Sequence, residues 1–223
     1  MSIATHSQRE NYILLGPPGS GKSTQANRLK EKHQLSHIDI GGELRRLAES
    51  DTDLGKLINE IINIRKELVP DGLIGDVLTH VLQGIESESG ILIDGAPRRV
   101  SQIDEVEDAL ATQQREIHKV IFLDLESVVA VKRISTRWLC VDCKNPYIGT
   151  QAEIAALGVC QKCGGTISQR KDDTEEGVQK RYQVFMEETR PVIEYYRNLG
   201  KLIQIDASLS PEQVSDCIEQ SLV

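Results

Sequence analysis

Three features are missing or scarce in this sequence of 223 residues, and each of them argues against a class of protein. No run approaches the roughly 18 consecutive apolar residues of a membrane-spanning helix, so we expect no membrane insertion. The first ten residues, MSIATHSQRE, contain neither an apolar segment nor a basic cluster. We therefore expect no secretory signal and a cytosolic protein. Positive charge is scarce, because 26 Lys and Arg face 34 Asp and Glu and leave a net charge of −8, which repels nucleic acid and anionic lipid.

Short apolar runs alternate with longer segments of helical periodicity. Runs typical of buried strands lie at residues 12–15, 38–40, 91–94, 120–125 and 202–205. Strands that are apolar along their whole length and alternate with helices indicate a parallel sheet covered on both faces. The sequence therefore predicts a doubly wound α/β fold, and its length suits one main domain.

Two stretches interrupt this alternation. Residues 40–73 have an almost entirely helical pattern between two strands, and residues 138–169 have the pattern of turns and short strands around paired cysteines. We predict that both are excursions from a core made of residues 1–39, 74–137 and 170–223.

A glycine-rich segment, GPPGSGKST, lies between the first predicted strand and the first predicted helix. Its spacing fits Gly-x-x-x-x-Gly-Lys-Ser, whose curled backbone and following helix dipole form a cradle for polyphosphate. The alternative is a turn that merely links strand to helix. The residues predicted to bind phosphate are Gly16, Gly19, Gly21, Lys22, Ser23 and Thr24.

An acidic residue ends the third predicted strand, in the segment ILIDGAPRR. Ligands gather at the carboxyl ends of strands in open parallel sheets, so Asp94 should face the phosphates, where it can hold Mg²⁺ through water. The alternative is an ordinary turn-forming aspartate.

Several arginines follow in the chain. Arg98 lies beside Asp94, Arg133 and Arg137 are four apart and are predicted to share one helix face, and Arg170 and Arg181 come later. Taken singly, each fits a solvated basic face. Together with the phosphate loop they indicate phosphoryl transfer, which needs positive charge along the oxygens of the moving group.

Four of the five cysteines form two Cys-x-x-Cys pairs, CVDC and CQKC, separated by sixteen residues. This spacing predicts a closed, structural zinc site with ligands Cys140, Cys143, Cys160 and Cys163. The alternatives are disulfides, free thiols, a redox pair or a zinc ribbon that binds nucleic acid. The charges of the module form no basic stripe, so we expect no nucleic-acid partner.

The motifs GPPGSGKST, GGELR, LVPDGL, DGAPRR, RKDDTEEGVQKR and RPVIEYY occur in the order and at the spacing of one family. The sequence resembles the adenylate kinases that carry a long, zinc-bearing lid, from about Asn11 to the C-terminus. The resemblance implies Mg²⁺-dependent phosphoryl transfer between ATP and a nucleoside monophosphate. It also implies a five-stranded parallel core, a monophosphate-binding insertion at residues 40–73 and a zinc-binding lid at residues 138–169.

The resemblance also implies roles for individual residues. Lys22 would bind the donor phosphates, with Arg133 and Arg137 at the ATP end. Arg45 and Arg98 would hold the acceptor phosphate, and Gln102 would contact the acceptor base. Arg170 and Arg181 would reach from the lid side to the phosphates in transit. Asp172 and Asp173 would form hydrogen bonds within the closing lid. None of these residues is a covalent nucleophile, so catalysis would rest on positioning and charge.

The sequence departs from the family pattern at three positions. Ile40 replaces a threonine near the acceptor base, Gly42 replaces a capping aspartate, and Ala96 replaces a phenylalanine. We expect AMP as the acceptor and a monomeric enzyme, while UMP, CMP and GMP stay open as acceptors. A regulator that binds ATP only as a ligand is the alternative from another class.

Overall fold

The computed structural model describes residues 10–65, 69–143, 145–169 and 173–222 of the chain. Arg170 and Asp172, both expected at the site, lie outside these described residues.

A five-stranded parallel sheet forms the centre of the protein. Its strands are β1 (Asn11–Leu15), β2 (Ser36–Asp39), β3 (Ile91–Asp94), β4 (Lys119–Asp124) and β8 (Leu202–Asp206). They lie in the order β2-β3-β1-β4-β8, and every neighbouring pair is parallel. The prediction of a doubly wound parallel sheet is confirmed. The prediction that residue 40 belongs to the second strand is wrong. Strand β2 ends at Asp39, which pairs with Asp94, and Ile40 begins helix α2.

Ten α-helices are defined in the described part of the chain. They are α1 (Lys22–His33), α2 (Ile40–Ala48), α3 (Asp53–Asn59), α4 (Leu73–Leu82), α5 (Ser101–Ala111), α6 (Ser127–Ser135), α7 (Gln151–Leu157), α8 (Glu175–Val184), α9 (Arg190–Asn198) and α10 (Pro211–Leu222). Two π-helical segments, Glu60–Arg65 and Phe185–Thr189, continue α3 and α8. No helix among the described residues is long and apolar enough to cross a membrane.

Alternate residues of the strands pack against opposite layers of helices. Ile13 and Ile93 face the side covered by α4, α5 and α9, whereas Leu14 and Leu92 face the side covered by α1, α6, α8 and α10. Both faces are buried at the three central strands β3, β1 and β4, which is why these strands are apolar along most of their length. In an open parallel sheet, ligands bind beyond the carboxyl ends of the strands.

A second sheet, which is antiparallel, is formed by the part of the chain between α6 and α8. It consists of β5 (Arg137–Cys140), β6 (Pro146–Ile148) and β7 (Ile167–Ser168), in the order β6-β5-β7. Helix α7 follows β6 and starts with a capping box, in which Thr150 Oγ1 accepts from the Glu153 amide and Glu153 accepts from the Thr150 amide. Turns and short strands around the cysteines are confirmed there, but α7 was not predicted.

Candidate active site

The phosphate loop connects β1 to α1 in a conformation that needs glycine. Gly19 and Gly21 have φ angles of 78° and 87°, which side-chain-bearing residues rarely adopt. A Cβ at Gly16 would lie 2.9 Å from the carbonyl oxygen of Leu123, on the neighbouring strand. The backbone can therefore curl tightly at the N-terminus of α1, where amide groups and the helix dipole favour an anion. Ser23 and Thr24 are exposed on the first turn of that helix.

The ammonium group of Lys22 lies over this loop. Its Nζ donates to the carbonyl oxygens of Gly16, at 2.6 Å, and Pro17, at 3.1 Å. The pKa of Lys22 is lowered to about 8, chiefly by burial and also by the guanidiniums of Arg98 and Arg137, while the carboxylate of Asp94 acts in the opposite direction. Charged groups from three separate segments thus act on one ammonium at the phosphate loop.

Asp94 ends β3 beside β1 and is buried, with 7% of its surface exposed. Its carboxylate acts on both Lys22 and Arg98. Nε2 of His37, a residue that sequence reasoning missed, lies 3.9 Å from Asp94 Oδ2 and makes no hydrogen bond among the described residues. A carboxylate and the Ser23 hydroxyl at this edge are the hard oxygen ligands that Mg²⁺ prefers, so the donor set fits that ion.

Arg45 and Arg98 lie where β2 and β3 end. Arg98 Nε donates to the carbonyl oxygen of Gly95 at 3.0 Å, and burial, together with the nearby charge of Arg45, lowers the pKa of Arg98. Buried Gln102 accepts at its Oε1 from the amide of Arg98 at 2.8 Å. Gln102 therefore fixes the turn that carries Arg98, a contact that its expected role at the acceptor base did not include.

Arg133 and Arg137 lie on different elements, so the prediction that they share a helix face is wrong. Helix α6 ends at Ser135, and Arg137 is the first residue of β5. The chain must be extended here because β5 pairs with both β6 and β7. Arg133, still on α6, donates to three carbonyl oxygens after β8, those of Ala207, Ser208 and Leu209, at 2.7–3.3 Å.

One carboxylate holds two of the expected arginines together. Asp173, whose side chain is 1% exposed, accepts from Arg137 at 2.8 Å and from Arg181 at 3.0 Å. Arg137 binds it through both Nε and Nη2. Such charge-assisted pairs fix guanidinium direction, so Asp173 orients both arginines.

The four predicted zinc ligands meet in one cluster. Their sulfur atoms all lie within 4.8 Å of one another, with 3.5 Å between those of Cys140 and Cys163 and 3.6 Å between those of Cys143 and Cys160. A disulfide would need about 2.05 Å, and all four cysteines are free. Sulfurs about 2.3 Å from a tetrahedral zinc ion stand at comparable separations, so the cluster fits that metal.

Tyr147 is a further member of the cysteine cluster that sequence reasoning missed. Its hydroxyl donates to Cys160 Sγ at 3.1 Å and is the largest of several hydrogen-bond contributions that lower the pKa of that thiol to about 6 against the effect of burial. A thiolate is the form that binds metal. Only the fold brings this tyrosine from β6 to the sulfur, and its spacing from the cysteines gave no signal.

Comparison with known proteins identifies the family. A family model described as adenylate kinase matches residues 14–201. An adenylate kinase from Kosmotoga olearia is 39% identical over 212 residues, which cover 95% of this chain and 98% of that protein. One from Archaeoglobus fulgidus is 38% identical over 95% of this chain and 97% of its own. One from Thermosipho africanus is 38% identical over 92% and 95%, respectively.

The chain belongs to the adenylate kinase family.

Family membership confirms the resemblance drawn from the motifs and makes the protein a phosphotransferase that acts on nucleoside monophosphates. In this adenylate kinase family enzyme, two of the departures are buried: Ile40 is 2% exposed and Ala96 is fully buried. The third, Gly42, leaves space that Asp39 occupies. A Cβ at residue 42 would lie 2.5 Å from Asp39 Oδ2.

Proposed function

We propose that the protein catalyses reversible, Mg²⁺-dependent transfer of a phosphoryl group from ATP to AMP, giving two ADP. The observation that carries this proposal is the place of the Lys22 ammonium over the phosphate loop, 2.6 Å from the Gly16 carbonyl oxygen, where the charges of Asp94, Arg98 and Arg137 act on it. These groups come from β3, the turn after it and β5. A site that must neutralise a phosphoryl group between two nucleotides needs charge from both sides of the loop.

The polyphosphate of ATP would lie on the amides of the phosphate loop. We call this region the donor side; it consists of the phosphate loop, Lys22, Arg133, Arg137, Asp173 and Arg181. Gly16, Gly19 and Gly21 let the backbone approach, while Ser23 and Thr24 offer hydroxyls on the first turn of α1. Lys22 would turn from the Gly16 and Pro17 carbonyls to the phosphates. Arg133, Arg137 and Arg181 would face ATP and the group in transit, with Arg170 as a further expected member.

The phosphate of AMP would bind to the guanidiniums of Arg45 and Arg98, and Gln102 would lie toward the base. We call these three residues the acceptor side. Asp94 and Ser23 would hold Mg²⁺, which supplies charge neutralisation between the donor phosphates when bound. Residues 40–73 would form the acceptor insertion and residues 138–169 the lid, with Asp172 and Asp173 bonding within it as it closes. Closure would exclude water from the transferred group.

The cysteine cluster would hold one structural zinc ion. Four thiolates fill a tetrahedral coordination sphere, which leaves no position for a reacting water. The module is small, and metal binding would contribute directly to its folding. We also propose that the enzyme acts as a cytoplasmic monomer. Size-exclusion chromatography with light scattering tests the oligomeric state.

A coupled assay with MgATP and AMP, GMP, CMP or UMP tests the function. We expect the highest kcat/KM with AMP and little ATP hydrolysis when no acceptor is present. Turnover with none of the four would contradict the proposal, and a higher kcat/KM with another monophosphate would reassign the acceptor. ATP hydrolysis at the full rate without acceptor would contradict lid closure.

A further inference from the structure

A carboxylate that sequence reasoning did not single out lies beside the acceptor-side arginines. Asp39 ends β2, and Asp39 Oδ2 is 3.7 Å from Arg45 Nη2. Its charge also acts on Arg98. An acidic side chain at a place proposed to bind a phosphate dianion opposes that binding, because the two negative groups repel each other.

The local packing brings Asp39 and both arginines to one turn. A Cβ at Gly41 would lie 3.4 Å from both Asp39 Oδ1 and Arg45 Nη1, and a Cβ at Gly95 would lie 3.6 Å from Arg98 Nη2 and 4.0 Å from the Gly41 amide nitrogen. The Asp39 carboxylate therefore lies close to Arg45, and the backbone at Gly41 lies close to the turn that carries Arg98.

Capping of α2 does not account for this position. Asp39 is the N-cap residue of α2, but its side chain makes no capping hydrogen bond. The carboxylate instead leans over the first turn, into the space that a side chain at Gly42 would need. Half of the Asp39 side chain, 51%, is exposed, so it can swing into solvent when another anion arrives.

We propose that Asp39 is a counter-charge that competes with the acceptor phosphate for Arg45 and Arg98, and so sets the KM for the monophosphate. This inference rests on the proposed function of these arginines. Asp39 is a positioning residue, since it acts on the guanidiniums and not on the reacting atoms. Because every nucleoside monophosphate carries the same phosphate, its effect is independent of the base.

Asp39→Asn tests the proposal by removing the charge while keeping the shape. We expect the KM for the acceptor to fall about fivefold, the size of one unit-charge interaction near 4 Å in a water-like medium, with kcat and the KM for ATP unchanged. The fall should be the same for every monophosphate that is turned over. Glu43→Gln, which removes a carboxylate paired with Arg46 on the same helix, is the matched control and should leave all constants unchanged.

Gly42→Ala is an independent variant that moves the carboxylate instead of neutralising it. The new methyl group would occupy the position of Asp39 Oδ2, and the half-exposed side chain can rotate away. We expect the KM for the acceptor to fall in this variant too. Adding Asp39→Asn to Gly42→Ala should then lower the KM by less than it does in the original chain.

Three results would overturn the inference: an unchanged acceptor KM in Asp39→Asn, a raised KM, which would make Asp39 a direct ligand of the acceptor, or a fall that depends on the base. Calorimetric titration of the zinc-loaded full chain with AMP distinguishes a failure of the proposed role of Asp39 from a failure of the proposed function. Without turnover of any monophosphate the function fails, whereas turnover with an unchanged AMP affinity in Asp39→Asn defeats only the role of Asp39.

Discussion

On the donor side, Arg137 and Arg181 share a carboxylate that is 1% exposed, at distances of 2.8 and 3.0 Å. On the acceptor side, Arg45 faces a carboxylate that is 51% exposed, at 3.7 Å. Buried charged pairs with short, two-pronged hydrogen bonds hold their geometry, while exposed pairs at longer range contribute little to stability. The comparison indicates that the donor side is preorganised and that the acceptor side exchanges its partner when substrate binds.

Asp173→Asn should have the largest effect, because it removes the charge that orients two donor-side arginines. We expect kcat to fall about 100-fold, the loss that follows from a misplacement of about 1 Å at a reacting group. The free energy of unfolding should fall by about 2 kcal/mol, less than for a fully buried pair because the guanidiniums are 27% and 31% exposed. Steady-state kinetics and urea denaturation measure the two effects.

The same change of charge on the acceptor side is the control for this experiment. Asp39→Asn should leave kcat and stability unchanged. Equal losses of kcat in the two variants would break the contrast between a fixed donor side and an exchanging acceptor side.

Zinc removal should weaken the donor side alone, because β5 carries both Arg137 and the zinc ligand Cys140. We expect about one zinc per chain, a lower melting temperature after chelation, and a fall of roughly tenfold in kcat/KM for ATP. The affinity for AMP should stay the same. Metal analysis, calorimetry and titration with each nucleotide give these values.

Cys217→Ala provides the matched control for zinc, since Cys217 lies on α10, packs against the core and lies outside the cluster. It should retain the metal, while Cys143→Ala should lose it. Freshly purified protein without bound metal would contradict the proposed zinc site.

Raising the pH should weaken ATP binding before it affects AMP binding. Burial lowers the pKa of Lys22 to about 8, so the ammonium charge is present below that pH and is lost above it. Bound phosphates favour the charged form and raise its pKa, so ATP binding takes up a proton near pH 8.5 and affinity falls by at most about tenfold per pH unit above 8. Calorimetric titration in buffers of different ionisation enthalpy measures that proton. Proton release, or no uptake, would contradict this role of Lys22.

The parts of the site that follow from local sequence were predictable. Gly16, Gly21, Lys22 and Ser23 lie within one short loop whose conformation depends on its own glycines. The buried strands are apolar because helices cover both faces of the sheet, and the paired cysteines carry their own spacing. Such features need no knowledge of distant segments.

Features that depend on tertiary contacts were not predictable in the same way. The strand that begins at Arg137 exists because β6 and β7 pair with it, and the place of Asp39 beside Arg45 depends on how β2 turns into α2. Helix α7 did carry a local signal, the Thr-x-x-Glu capping box at Thr150 and Glu153. The paired cysteines on either side of it are typical of turns and short strands, which is the opposite expectation.

The most direct test of the central claim is a crystal structure of the zinc-loaded enzyme with an analogue in which a polyphosphate chain joins two adenosines. We expect the polyphosphate chain to run from the phosphate loop, in contact with Lys22, to the guanidiniums of Arg98 and Arg45, with Asp39 turned into solvent. Phosphates that contact the loop while Arg98 and Arg137 point away from them would contradict it.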